Sequence, residues 1–148
     1  MKLYIIVIFT FLNIVNVFSM DAEAYNYAKI YTEKKYLKPA YVEALKAMKR
    51  IKRIQGKEKQ TKADKAKIEQ LKVVLDIYKL WKEYVACLEA LKVGSNDVSK
   101  LRGMKAPLIL VPRRYKELTK KDFPKIMRKF KNAYYKKKSA EVREREKE

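Results

Sequence analysis

The stretch from Lys62 to Val93 restricts most strongly what this chain can fold into. Across it Ile68, Leu71, Val74, Leu75, Tyr78, Trp81, Val85, Leu88 and Leu91 recur at steps of three and four, the period of an α-helix. Val73, Ile77, Leu80, Tyr84 and Cys87 widen the stripe, and only Lys72, Asp76, Lys79 and Glu83 keep a polar line. A helix apolar over so much of its circumference must be enclosed by neighbours. Its ends are marked too. Thr61-Lys62-Ala63-Asp64 has the form of a capping box with Asp in place of Glu, and Gly94 suits a C-terminal cap. The expected fold is all-α, a small bundle of about four helices around one long central apolar helix.

The flanking segments supply the other helices. Asp21 can cap a first helix reaching about Leu37, with Tyr27, Ile30, Tyr31 and Leu37 on one face. Lys38-Pro39 should end it, because the residue before a proline is pushed out of the α region. Pro39 then starts a second helix whose inner face reads Tyr41, Ala44, Leu45, Met48 and Ile51, with Gly56 as its cap. Ser95 to Ala106 reads as a polar connector with at most one turn of helix, ended by Gly103. Leu108-Ile109-Leu110-Val111, between Pro107 and Pro112, reads as an extended apolar clamp over the bundle, or as an edge strand lacking a partner. A last helix is expected from about Asp122, with Pro124 in its first turn and Phe123, Ile126, Met127, Phe130, Ala133 and Tyr134 on its apolar face. Residues 139–148 alternate Glu, Arg and Lys and read as a frayed charged tail.

The chain opens on a different kind of segment. Met1-Lys2 precedes an apolar run from Leu3 to Phe18, and Val17-Phe18-Ser19 offers an acceptable cleavage site. With Thr10, Asn13 and Asn16 inside it, the run is short for a membrane span, which wants about 20 apolar residues. Residues 1–19 therefore read as a signal peptide, with an uncleaved anchor as the alternative. The expected product is a secreted chain, Met20 to Glu148, holding a single helical domain over residues 20–138. Its Asn26, Asn96 and Asn132 all lack a glycosylation sequon.

Composition narrows the chemistry. The sequence has no His, one Cys and three Gly. That excludes a Ser-His-Asp or Cys-His nucleophile, a His-ligated zinc and a histidine pH switch. It also excludes an internal disulfide and a glycine-rich phosphate loop. No cofactor is expected. Glu69, Asp76, Glu83 and Glu89 lie along the polar line of the central helix, where Lys neighbours make ordinary surface pairs. The chain is read as a non-enzyme.

Charge is the most informative remainder. The 37 Lys and Arg against 17 Asp and Glu give a net +20. Two segments carry it: residues 34–67, with 13 basic and 3 acidic residues, and residues 112–138, with 12 and 2. Within them basic residues cluster as Lys49, Arg50, Lys52 and Arg53; as Arg113, Arg114 and Lys116; as Arg128, Lys129 and Lys131; and as Lys136, Lys137 and Lys138. The second and third have the basic-basic-x-basic spacing associated with sulfated glycosaminoglycans. Such blocks attract polyanions, whether glycosaminoglycan, anionic lipid or nucleic acid. The alternative is a solvated basic surface that aids solubility. A dibasic processing site at Arg50 to Arg53 would cut through the second helix and is set aside. The many Tyr, Tyr134-Tyr135 beside the last basic run among them, suit base stacking. They suit a disulfide-free core better, with ring buried and hydroxyl wet.

The apolar segment Leu3 to Ser19, the Lys- and Tyr-rich chain behind it and the absence of catalytic motifs resemble secreted effectors of insect salivary or nematode gland repertoires. No R-x-L-R translocation motif is present. The resemblance implies delivery into host tissue and modulation of a host by binding a protein partner, or a polyanion through the basic clusters.

Overall fold

The computed structural model describes residues 22–146. The expected signal peptide, its cleavage site and the Asp21 cap lie outside them. The described chain is an all-α bundle with α1 (22–32), α2 (Lys38–Gln55), α3 (Lys62–Val93), α4 (Val98–Lys105), α5 (Pro107–Thr119) and α6 (Ile126–Arg145). No helix among the described residues is long and apolar enough to cross a membrane.

Helix α3 lies at the centre, as its sequence requires. Its first turn is closed by a complete capping box. Thr61 Oγ1 accepts from the Asp64 N–H at 3.1 Å and Asp64 Oδ2 accepts from the Thr61 N–H at 3.1 Å. Gly94, at φ 78°, closes the other end in a backbone conformation that favours glycine. Leu80, Trp81, Tyr84, Cys87, Leu88 and Leu91 form the core with Tyr25 of α1, Val111 of α5 and Ile126 of α6. The anticipated polar line faces outward, with Glu69–Lys72 at 2.6 Å and Asp76–Lys79 at 3.2 Å as i,i+3 pairs. Glu83 meets Arg114 at 3.9 Å and Glu89 meets Lys29 at 2.9 Å.

Pro39 does not end a helix. The backbone runs helically from residue 22 to Gln55, and Glu33–Leu37 form a π-turn. There the Lys38 N–H reaches back five residues to the Glu33 carbonyl. In a regular α-helix the Pro39 ring would press on the Lys35 carbonyl and leave it without a donor. The wider turn absorbs that residue, so α1 and α2 are one rod. Buried Thr32 marks its start by donating from Oγ1 to the Ala28 carbonyl at 2.6 Å, a bond that bends helices.

The buried face of this rod also departs from expectation. Ala24, Tyr25, Ala28 and Thr32 point inward on α1, and Ala44 and Ala47 on α2. Of the faces expected from helical spacing, Tyr27, Ile30, Tyr41, Leu45 and Met48 are exposed, whereas Ala44 is buried and Tyr31 and Leu37 pack half-buried on the core. Small alanines let the rod approach α3 closely, and close approach excludes bulky side chains from the seam. α2 and α3 then form an antiparallel hairpin through residues 56–61.

The segment between the two prolines is likewise helical, neither clamp nor strand. Pro107 occupies the first turn of α5, where its missing N–H costs nothing, and Pro112 sits inside the helix. An interior proline costs about 3 kcal/mol. Against it stand fully buried Val111 and half-buried Leu108, Tyr115 and Leu118, all packed on the core. A fully buried aliphatic side chain contributes about 1.5–3 kcal/mol, so these four side chains together outweigh the proline. The connector before α5 holds more helix than a single turn. α4 runs through Gly103 to Lys105, opened by Asp97 Oδ1 accepting from the N–H groups of Ser99 and Lys100 at 2.8 and 3.1 Å.

The last helix starts at Ile126, later than expected, after α5 is capped by Lys120 in the left-handed region (φ 59°). Of its anticipated face, Ile126 and Tyr134 are buried, Phe123, Met127 and Phe130 half-buried, and Ala133 exposed. It continues through residues 139–145, where the sequence predicts fraying. Glu, Arg, Lys and Ala are good helix formers, and Lys137–Glu141 adds an i,i+4 pair at 4.0 Å.

Candidate binding surfaces

A concavity arises where α1 meets α6. Because Ala24, Ala28 and Thr32 turn inward, Tyr27 and Ile30 are left outside, beside half-buried Tyr31. Phe130 approaches from α6 and meets the Tyr31 ring edge-on, with centroids 5.2 Å apart and planes at 62°. These side chains line an open groove of about 650 Å³, with Lys34 and Lys35 of the π-turn at its border. The Lys129 ammonium lies 4.5 Å above the Tyr31 ring, within cation–π range. The Lys35 ammonium donates to Tyr31 Oη at 2.9 Å. That bond holds the Tyr31 hydroxyl below its ordinary pKa and raises that of Lys35. The groove thus has an apolar, aromatic floor and a cationic rim.

The four basic clusters occupy three places in the fold. Lys49, Arg50, Lys52 and Arg53 stand exposed on the last turns of α2, next to the hairpin loop. None of the four has an ion-pair partner among the described residues. Arg113, Arg114 and Lys116 are exposed on α5, and Arg128 and Lys129 on α6, with Lys131 half-buried. Pro112 and Arg128 line one shallow depression at the corner where α5 faces the start of α6. This corner is partly neutralised, since Arg114 approaches Glu83 and Lys116 pairs with Asp122 at 2.8 Å. Lys129 is engaged over Tyr31, so it belongs to the groove as much as to its cluster. Lys136 and Lys137 are exposed beyond the core, and Lys138 follows on the same helix.

Most aromatic rings are committed to packing. Trp81 is buried between Tyr36, stacked at 4.6 Å and 11°, and Phe123, stacked at 4.7 Å and 28°. Tyr84 and Tyr115 meet Phe123 edge-on at 5.0 and 5.4 Å. Tyr25, Tyr84 and Tyr134 are buried, whereas Tyr27, Tyr41 and Tyr135 remain outside. Cys87 is a buried thiol whose Sγ donates to the Met104 carbonyl at 3.0 Å. Burial pushes its pKa up to about 11, so it is neither a thiolate nucleophile nor placed for an intermolecular disulfide. Among the described residues no group of three Cys, Asp or Glu side chains gathers as a metal site.

The groove was not legible in the sequence, because helical spacing put Tyr27 and Ile30 on one face with Tyr31 and Leu37, which do pack on the core. The available signal was the row of small residues Ala24, Ala28 and Thr32 at four-residue steps. Comparison with family models, with curated proteins and with solved structures finds no match to this chain.

Proposed function

We propose that the chain is a secreted, non-enzymatic binding protein of the effector kind, which acts on a host or target by engaging a protein partner. The aromatic groove between α1 and α6 carries this reading. Exposed aromatic and aliphatic side chains in a concave site, rimmed by cations, are the usual anchors of a protein interface. The rim of Lys34, Lys35 and Lys129 favours a partner segment bearing carboxylates beside an apolar face. Ile30→Lys tests it, because Ile30 is exposed and its replacement leaves the core untouched. A partner that binds at raised salt should lose affinity by about tenfold or more on this change, the scale of an interface anchor. A partner whose affinity is unmoved by Ile30→Lys, yet collapses with salt, would exclude the groove.

The second reading is polyanion binding, favoured by the exposed, unpaired residues Lys49, Arg50, Lys52 and Arg53. If they neutralise phosphate or sulfate groups, replacing all four with Gln should lower the salt slope of binding. The decrease should be roughly 0.7–0.9 for each anionic group left unneutralised. Heparin and duplex DNA titrated across ionic strength provide the measurement. An unchanged slope would leave this basic cluster as a solubility feature.

A further inference from the structure

One outward face of the molecule is both apolar and basic, and the groove does not use it. Along α2, positions 38, 41, 42, 45, 48, 49 and 52 recur at steps of three and four, which puts them on one side of the helix. Ala44 and Ala47 are buried on the side that packs along α3. The outward row holds four large apolar residues, Tyr41 (49 % exposed), Val42 (49 %), Leu45 (39 %) and Met48 (45 %). Lys38, Lys49 and Lys52 share that row and are exposed. The one acid of α2, Glu43, is held by Lys46 at 2.8 Å.

We propose that this face of α2 docks on an anionic lipid surface, with Val42, Leu45 and Met48 at the boundary between headgroups and acyl chains and the lysines against lipid phosphates. The inference rests on the polyanion reading and narrows it to one source at one place. Three observations favour lipid over a dissolved polyanion or a protein. A single row carries four apolar side chains, Tyr41 to Met48, between Lys38 at one end and Lys49 and Lys52 at the other, the combination of a helix lying in a membrane interface. A sulfated polysaccharide or a nucleic acid would satisfy the lysines and leave the apolar row in water. The row also stands on the outer side of one rod, unlike the groove between α1 and α6, and a flat partner needs no wall. Finally, the row sits within the segment 34–67, with 13 basic against 3 acidic residues. An anionic leaflet attracts such a segment before the two surfaces touch.

The test uses the chain from Met20 to Glu148 with phosphatidylcholine vesicles, with and without phosphatidylserine, and with heparin. The expected result is flotation with phosphatidylserine-containing vesicles and none with phosphatidylcholine alone. Leu45→Ser combined with Met48→Ser should weaken vesicle binding about tenfold or more, with heparin binding and the helical circular dichroism unchanged. Val42→Trp should add an emission component that moves to shorter wavelength when anionic vesicles are supplied. Binding of heparin without binding of vesicles would overturn the lipid inference and leave the polyanion reading standing. Equal vesicle binding by the Leu45→Ser, Met48→Ser variant would overturn it as well, since charge alone would then suffice. Failure of the unaltered chain to bind either ligand would remove the two together.

Discussion

Trp81 sits at the centre of the aromatic core. It is stacked between Tyr36 and Phe123 and met at its edges by Tyr84 and Tyr115. Trp81→Ala should destabilise the bundle by about 3–5 kcal/mol, the range for removing a buried large aromatic, measured by urea denaturation. A loss below about 1 kcal/mol would show that the surrounding rings close the gap or that Trp81 is not buried in solution. Cys87 and Tyr84 make a second residue-scale prediction. Burial holds both protonated above their ordinary pKa, Cys87 to about 11. In the unfolded chain the thiol ionises near ~8.5, so at higher pH the folded state binds more protons and stability falls. The decline should begin near pH ~8.5 and end, for the thiol, near pH 11, with Cys87→Ala making it shallower. Below about pH 8 neither group contributes a slope. The inward placement of Trp81 and Cys87 was legible from their place in the stripe. The outward placement of Ile30 was not, because helical spacing put it on one face with Tyr31 and Leu37.

At the scale of elements, complete local signals decided the structure at some boundaries, and packing overrode local signals at others. The Thr61/Asp64 box and Gly94 bound α3 where their chemistry requires. Two prolines expected to interrupt helices sit within them. A π-turn accommodates Pro39 within the rod, and the burial of Val111 and its neighbours carries α5 through Pro112. Both outcomes depend on packing between residues distant in sequence, which no local rule contains. A prediction follows for α5. Pro112→Ala restores a backbone donor for the Leu108 carbonyl and removes the ring. The gain recovers part of the roughly 3 kcal/mol interior penalty, less about 1 kcal/mol from a freer unfolded chain. Thermal melting should therefore rise for Pro112→Ala. A fall would mean that the proline ring itself packs well against its surroundings, as its half-buried position beside Phe123 permits.

For the whole molecule, charge and stability oppose each other. A net +20 repels itself. The described ion pairs are mostly surface pairs such as Lys46–Glu43 and Lys72–Glu69, a class that typically contributes about 0–1 kcal/mol each. Screening should therefore relieve more repulsion than it removes attraction. The melting temperature is expected to rise as sodium chloride is added. A fall on adding salt would show that ion pairs such as Lys29–Glu89, with Lys92 alongside, outweigh the excess charge. Binding should respond in the opposite sense, weakening with salt where polyanion recognition dominates.

The sequence by itself determined the helical class, the long central helix with its caps, the outward polar line of α3 and the excess of positive charge. Those properties follow from periodicity, capping chemistry and composition, which act over a few residues or over the whole chain at once. Only the tertiary structure decided which side of each outer helix is buried. Seating Ala24, Ala28, Ala44 and Ala47 against α3 lets two backbones approach closely, and that choice turned Tyr27, Ile30, Tyr41, Leu45 and Met48 outward. The groove and the apolar–basic face of α2 are consequences of that single seam, where shape complementarity between helices prevailed over the hydrophobicity of individual side chains.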